Sequence, residues 1–222
     1  MSRYRRDLFP VSIFHGSVDQ NNDLKKILMP LINRTKNHDE VLEPPSGWST
    51  NNLKTSFSSE KVNKYVFGNG DNEIENKIKS QYIKTLDGFF DKNWQIDLSE
   101  IWFNYYENGE WQEAHRHISS GLGQATHFAC VHFLSFDPEN HMPLRLLDPL
   151  SLHRALGFEF DSVKVSEKID LITREGDLVM FPSWLEHEVL PGKSTPGNPR
   201  ITVAFNVTVE SYGDEQDGDD DE

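Results

Sequence analysis

The sequence predicts a mainly β protein, a sandwich or jelly roll preceded by helices, and three observations predict it. From Trp94 to Val209 short runs of alternating polarity follow one another, separated by turn signals such as Asn108-Gly109, Asp137-Pro138 and Glu175-Gly176-Asp177. Helical periodicity is confined to the first ninety residues, where Ile74, Ile78, Tyr82 and Leu86 recur every four positions. The last apolar run, Arg200 to Val207, alternates strictly. Short strands in succession with no helix between them cannot build a parallel α/β sheet.

Along the chain, residues 8–14 read as a short strand bent at Pro10. Asp19 to Asp23 supplies capping side chains ahead of Leu24, Ile27 and Leu28, and Leu31 and Ile32 continue that apolar face past Pro30. Residues 33–72 are polar, with Trp48, Phe57, Tyr65 and Phe67 as isolated anchors, and are expected to form a long connection. A helix follows over 72–90. Strands are then expected at 101–106, 111–117, 125–136, 144–148, 163–165, 169–173, 178–181 and 200–209. This divides the chain into an N-terminal strand and helices (1–95), a β core (96–210) and a tail (211–222).

Composition narrows the function. The 222 residues carry a net charge of −14, which argues against a nucleic-acid backbone as partner. Half of that charge comes from seven acids among the last nine residues, so the tail reads as a solvated extension or a docking segment for a basic partner. No run reaches the roughly 18 apolar residues of a membrane span, and no apolar stretch follows the basic start. One cysteine, Cys130, excludes an internal disulfide and a cysteine-based zinc site. The expectation is a cytoplasmic protein with Cys130 in its core.

Chemistry is expected where histidines share a strand face. His115 and His117 are two apart, so their side chains point the same way. Such a pair alone is weak, since nine histidines give about 0.36 such pairs by chance in a chain of this size. His187 strengthens it, because Phe181-Pro182 ends a strand and the turn after it can aim an imidazole back across a barrel mouth. Three imidazoles can hold a divalent first-row metal on one face and leave positions open. In the last strand Arg200, Thr202, Ala204 and Asn206 share a face, and an arginine beside a hydroxyl is suited to grip a carboxylate. Trp102, Asn104 and Tyr106 share a face of the strand that leads to His115. His127 and His132 fall on opposite faces, so at most one lines the cavity, while His141 and His153 are expected at the surface.

Asn-x-Tyr-x-x-Gly at 104–109, His-x-His at 115–117, Gly-Asp-Leu-Val-Met-Phe-Pro-Ser-Trp-Leu-x-His at 176–187 and Arg-Ile-Thr-Val-Ala-Phe-Asn at 200–206 together resemble the 2-oxoglutarate- and Fe(II)-dependent oxygenases. The likeness covers about 96–210. It is greatest to a bacteriophage and marine-bacterial branch similar to prolyl 4-hydroxylases. The resemblance implies a double-stranded β-helix of cupin-like type that hydroxylates a C–H bond, of a peptidyl proline or a small molecule, with release of succinate and CO2. It implies Fe(II) held by His115, His117 and His187. It assigns 2-oxoglutarate to Arg200 and Thr202, with Tyr106, Asn104 and Asn206 near it. His117 departs from the usual pattern, where an acidic residue stands; if it is no ligand, Asp137 or Glu139 would have to replace it. The tyrosine that relatives offer from the next strand is missing from 129–133, so that contact is lost or passes to His132. The rival readings are a cupin-like three-histidine dioxygenase that does not use 2-oxoglutarate and a non-enzymatic jelly-roll adaptor. The expected partners are the small cosubstrate and an unknown peptide or metabolite.

Overall fold

The computed structural model describes residues 11–37, 42–50, 53–68, 72–90, 94–118, 126–149, 168–193 and 197–211. The expected strand at 163–165, His153 and the acidic tail lie outside them. Among the described residues three helices, α1 (Asn21–Asn37), α2 (Glu60–Phe67) and α3 (Asn72–Leu86), accompany ten strands. The strands are β1 (Phe14–Ser17), β2 (Lys54–Thr55), β3 (Trp94–Tyr106), β4 (Gln112–His115), β5 (Phe128–Ser135), β6 (Arg145–Leu147), β7 (Lys168–Asp170), β8 (Asp177–Pro182), β9 (His187–Val189) and β10 (Arg200–Ser211). They form two antiparallel sheets, a major one ordered β1-β8-β5-β10-β3-β2 and a minor one ordered β4-β9-β6-β7. This is the expected jelly roll.

The major sheet is buried on both faces, and alternation divides its side chains between them. Val203, Phe205 and Val207 of β10, Cys130 and Leu134 of β5, and Phe103 and Tyr105 of β3 meet the helices. There they pack with Leu24, Leu28 and Ile32 of α1, Val62 and Val66 of α2, and Ile78, Tyr82 and Leu86 of α3. On the inner face Tyr106, Ala129, Val131, Phe133, Val179 and Phe181 pack towards Leu146 and Val189 of the minor sheet. Each fully buried Leu, Ile or Phe in these layers stabilises the fold by about 1.5–3 kcal/mol. The helices therefore brace the sheet from behind while its inner face is left to enclose a cavity.

Several elements differ from the expectation. Residues 11–13 are not strand: Val11 and Ile13 are exposed, and pairing to β8 begins at Phe14, opposite Met180. The connection expected over 33–72 holds regular structure among its described residues. It contains the end of α1, the short strand β2 on β3, and α2, whose Ser59 side chain accepts a hydrogen bond from the Val62 N–H. Tertiary burial of Val62, Val66 and Phe67 creates that helix, since eight residues cannot hold a helix in isolation. β9 was not expected either. It exists because the chain, after the turn at 183–185, crosses from the major sheet to the minor one.

Candidate active site

β4 and β9 bring two of the histidines together, since His115 and His187 are direct cross-strand partners with ring centroids 4.1 Å apart. A bulge makes this possible. Between the pairs Gln112–Val189 and His115–His187, β4 has two residues where β9 has one. Gln112 and His115 consequently both face the cavity, although residues three apart in a regular strand face opposite ways. His117 lies just beyond β4, held by its own N–H donating to the Ser183 carbonyl at 2.9 Å. Its ring centroid is 5.3 Å from that of His115 and 5.0 Å from that of His187.

The three rings are oriented from behind. His115 Nδ1 donates to the Glu113 carbonyl at 2.8 Å and His187 Nδ1 to the Leu185 carbonyl at 3.0 Å. His117 Nδ1 donates to Asn206 Oδ1 at 2.8 Å. A carbonyl oxygen only accepts, so each Nδ1 carries the proton and each Nε2 keeps its lone pair, that of His115 accepting from the Gln112 amide at 3.4 Å. One ligand atom from each ring lies within 4.8 Å of the others, and His115 Nε2 and His117 Nε2 are 3.4 Å apart. Burial favours the neutral imidazoles that metal binding needs. It depresses His115, pushes His117 down to about 4 with His115 adding to the effect, and holds His187 well below its usual value. This donor set fits a divalent first-row metal.

The cavity enclosing the histidines continues to Arg200, Thr202 and Ala204 of β10 and to Trp102, Asn104 and Tyr106 of β3. Arg200 is 3% exposed. Its Nε donates to the Met142 carbonyl at 3.1 Å, and its guanidinium lies 4.6 Å from the Tyr106 ring centroid. The Tyr106 hydroxyl donates instead to Gln112 Oε1 at 2.8 Å, so its contact with Arg200 is ring to cation. Both Nη atoms of Arg200 are buried without a hydrogen-bond partner. Burial lowers the Arg200 pKa, opposed by Tyr106, and lifts Tyr106 to about 12. A buried cationic fork with two unpaired donors calls for an anion, and a carboxylate matches it bidentately.

Of the expected site residues, the structure brings His115, His117, His187, Arg200, Thr202, Tyr106 and Asn104 to one cavity. Asn206 stands behind His117 instead of lining the cavity wall, and Asn104 Oδ1 accepts a hydrogen bond from Thr55. Asp137 is held in its own turn by Asn140 and Asn198 and does not join the histidines; nor, among the described residues, does any carboxylate. His132 faces the helices, its Nδ1 paired with the Tyr82 hydroxyl at 2.9 Å, so it cannot take over the missing tyrosine's contact. His141 is buried, not at the surface: its Nδ1 accepts from the Asp137 N–H and its Nε2 donates to the Asn198 carbonyl, bracing the approach to Arg200.

Sequence reasoning missed Gln112 and an aromatic arc over the site. Trp48 stacks on His115 at 6.1 Å, Phe57 follows at 5.3 Å from Trp48 and 4.9 Å from Trp102, and Trp102 lies 5.5 Å from His117. Hydrogen bonds from the Ser49 N–H to Glu113 and from the Thr50 hydroxyl to the Trp111 carbonyl hold Trp48 there. Trp102 was expected beside the histidine pair, whereas the only signal for Trp48 and Phe57 was their presence in a polar stretch.

A jelly roll enclosing three inward imidazoles and a buried unpaired arginine defines a non-haem iron oxygenase. Residues 100–206 match the family model described as "Putative 2OG-Fe(II) oxygenase", the class of 2-oxoglutarate- and Fe(II)-dependent oxygenases. Comparison with curated proteins returns no match. Among solved structures, the chain is similar to a Pseudomonas putida prolyl-4-hydroxylase (17% identity, 89% of this chain and 92% of that one, TM-score 0.54). It is also similar to a Trichoplax adhaerens prolyl hydroxylase in complex with a hypoxia-inducible-factor oxygen-degradation-domain peptide fragment (10%, 88% and 82%, TM-score 0.56). A third is HygX from Streptomyces hygroscopicus with nickel and 2-oxoglutarate bound (11%, 89% and 82%, TM-score 0.54). At these identities the likeness establishes the fold. The cofactors of this chain are Fe(II) and 2-oxoglutarate. No helix among the described residues is long and apolar enough to cross a membrane.

Proposed function

We propose that the chain uses His115, His117 and His187 to hold Fe(II) through their Nε2 atoms and hydroxylates a substrate C–H bond. The observation that carries this reading is the convergence of three proton-free Nε2 atoms and an unpaired buried guanidinium in one cavity. Iron and 2-oxoglutarate, when bound, supply dioxygen reduction coupled to decarboxylation of the cosubstrate to succinate and CO2. The chain's own residues bind and orient. Arg200 grips the far carboxylate of 2-oxoglutarate with its two free Nη donors, and Thr202, on the same face of β10, adds a hydroxyl. Tyr106 and Gln112 fix the guanidinium's surroundings, and Asn104 lines the wall. Trp48, Phe57 and Trp102 exclude water above the histidines and present an apolar surface to the substrate.

The catalytic core in this reading is 96–210, with 1–95 packed against it. The substrate is a peptidyl proline or a small molecule; the likeness to prolyl hydroxylases favours the first. Cytoplasmic residence is supported by a single, buried cysteine. The test is oxygen-dependent conversion of 2-oxoglutarate to succinate by iron-loaded protein, with proline-containing peptides and small metabolites compared as stimulants. His115→Ala is expected to lose iron, and Arg200→Ala to lose 2-oxoglutarate while retaining iron. If neither iron nor 2-oxoglutarate binds the wild type, the assignment fails.

A further inference from the structure

Glu100 is the only residue other than glycine, among the described residues, with a positive φ (46°). It sits where β3 slips against β10: Ser99 lies opposite Asn206 and Trp102 opposite Ala204, so Glu100 and Ile101 face the single residue Phe205. Bulges with a left-handed residue ordinarily place glycine there, because a Cβ is disfavoured at that φ. What the glutamate adds is a carboxylate, and Glu100 Oε2 accepts from Asn206 Nδ2 at 2.5 Å.

That contact has a directional consequence. A carboxylate only accepts, so the amide NH2 of Asn206 must face Glu100 and its Oδ1 must face His117. Oδ1 in turn only accepts, so His117 carries its proton on Nδ1 and keeps the Nε2 lone pair towards His115 and His187. The other two histidines are oriented by backbone carbonyls, which cannot turn round. His117 is the one whose tautomer depends on side chains, and an asparagine alone could face it either way. We infer that Glu100 is a positioning residue of the metal centre: through Asn206 it fixes the tautomer in which His117 Nε2 can coordinate. This rests on the reading of the three histidines as the ligand set. Glu100 is exposed, so its charge is screened, and the effect is orientation and not field.

The experiment uses metal-free full-length protein labelled with 15N-histidine, in which long-range proton–nitrogen correlation reports the protonated nitrogen of each ring. Wild type is expected to show Nδ1–H at all three positions. Glu100→Ala and Glu100→Gly should leave His115 and His187 unchanged and convert His117 to a mixture of tautomers. Co(II) affinity, read from its visible absorption, should weaken on the order of tenfold. Glu100→Gly should melt no lower than wild type, because glycine accepts this φ, whereas a mere brace of the fold would lose stability on removal. The double variant Glu100→Gln with Asn206→Asp should restore both readouts, with the new amide donating to a carboxylate that accepts from His117. The inference is overturned if both Glu100 single variants keep the Nδ1–H tautomer and wild-type Co(II) affinity. It is also overturned if the double variant fails to restore what the single variants lose. Absence of Co(II) binding by the wild type would instead overturn the ligand set itself, an outcome distinct from loss confined to the Glu100 variants.

Discussion

Arg200 illustrates how a single residue can be costly to the empty protein and useful to the loaded one. Leaving a buried charged donor unpaired costs about 1–3 kcal/mol or more. Arg200→Met keeps apolar contact with the rings of Tyr106, Phe133 and Phe136 but removes the charge. In the absence of 2-oxoglutarate this variant should be more stable by about 1–3 kcal/mol in urea denaturation. Its affinity for 2-oxoglutarate should fall about a hundredfold in calorimetry, as expected on losing a bidentate charge-assisted contact. An arginine that merely braced the fold would lose stability on the same substitution, so the sign of the change separates the two roles.

At the level of elements, α1 carries Pro30 in its interior on an exposed position. The ring removes one backbone hydrogen bond and crowds the preceding turn, at a cost of up to about 3 kcal/mol. Pro30→Ala should therefore raise Tm without altering the KM for 2-oxoglutarate, because α1 touches only the helix-facing layer of the sheet. Periodicity made the strongest elements legible: the stripe Ile74, Ile78, Tyr82 and Leu86 announces α3, and alternation from Arg200 announces both faces of β10. The bulges were not legible, because each depends on which residue of a distant strand lies opposite. Alternation likewise puts Asn206 on the inner face of β10 without showing which residue it meets there. The register shift beside it belongs to β3, where it brings Glu100 to Asn206, and nothing within β10 shows that His117 is its other partner. For the same reason Gln112 escaped notice, although it joins His115 in the cavity only by virtue of the bulge in β4.

Stability of the whole molecule should depend on acid through its buried imidazoles, and His132 allows the sign to be worked out. Burial pushes its pKa down to about 3, against about 6.5 in an unfolded chain. Below pH 6.5 the unfolded state binds the proton and the folded state does not, so stability falls as pH drops from 6.5 towards 3. The loss is about 1.4 kcal/mol per pH unit, or about 2 kcal/mol at pH 5. Replacing both partners, Tyr82→Phe with His132→Leu, removes a buried polar pair together and should be nearly neutral at pH 7.5. At pH 5 the double variant should be more stable than wild type by urea denaturation. Loss of the pH difference between the two proteins would contradict this account. The sequence showed His132 in an apolar strand but not its partner fifty residues away, since helix-to-sheet packing decides which polar groups meet.

The aromatic arc has an optical consequence. Trp48 and Trp102 are two of the five tryptophans, and their rings lie 6.1 and 5.5 Å from His115 and His117. A paramagnetic ion arriving between those histidines would quench the emission of these two indoles at contact range. Substituting Trp48 or Trp102 with phenylalanine would then divide the quenching between the two sides of the mouth. Occupancy of the centre becomes measurable by intrinsic fluorescence, before any substrate is known.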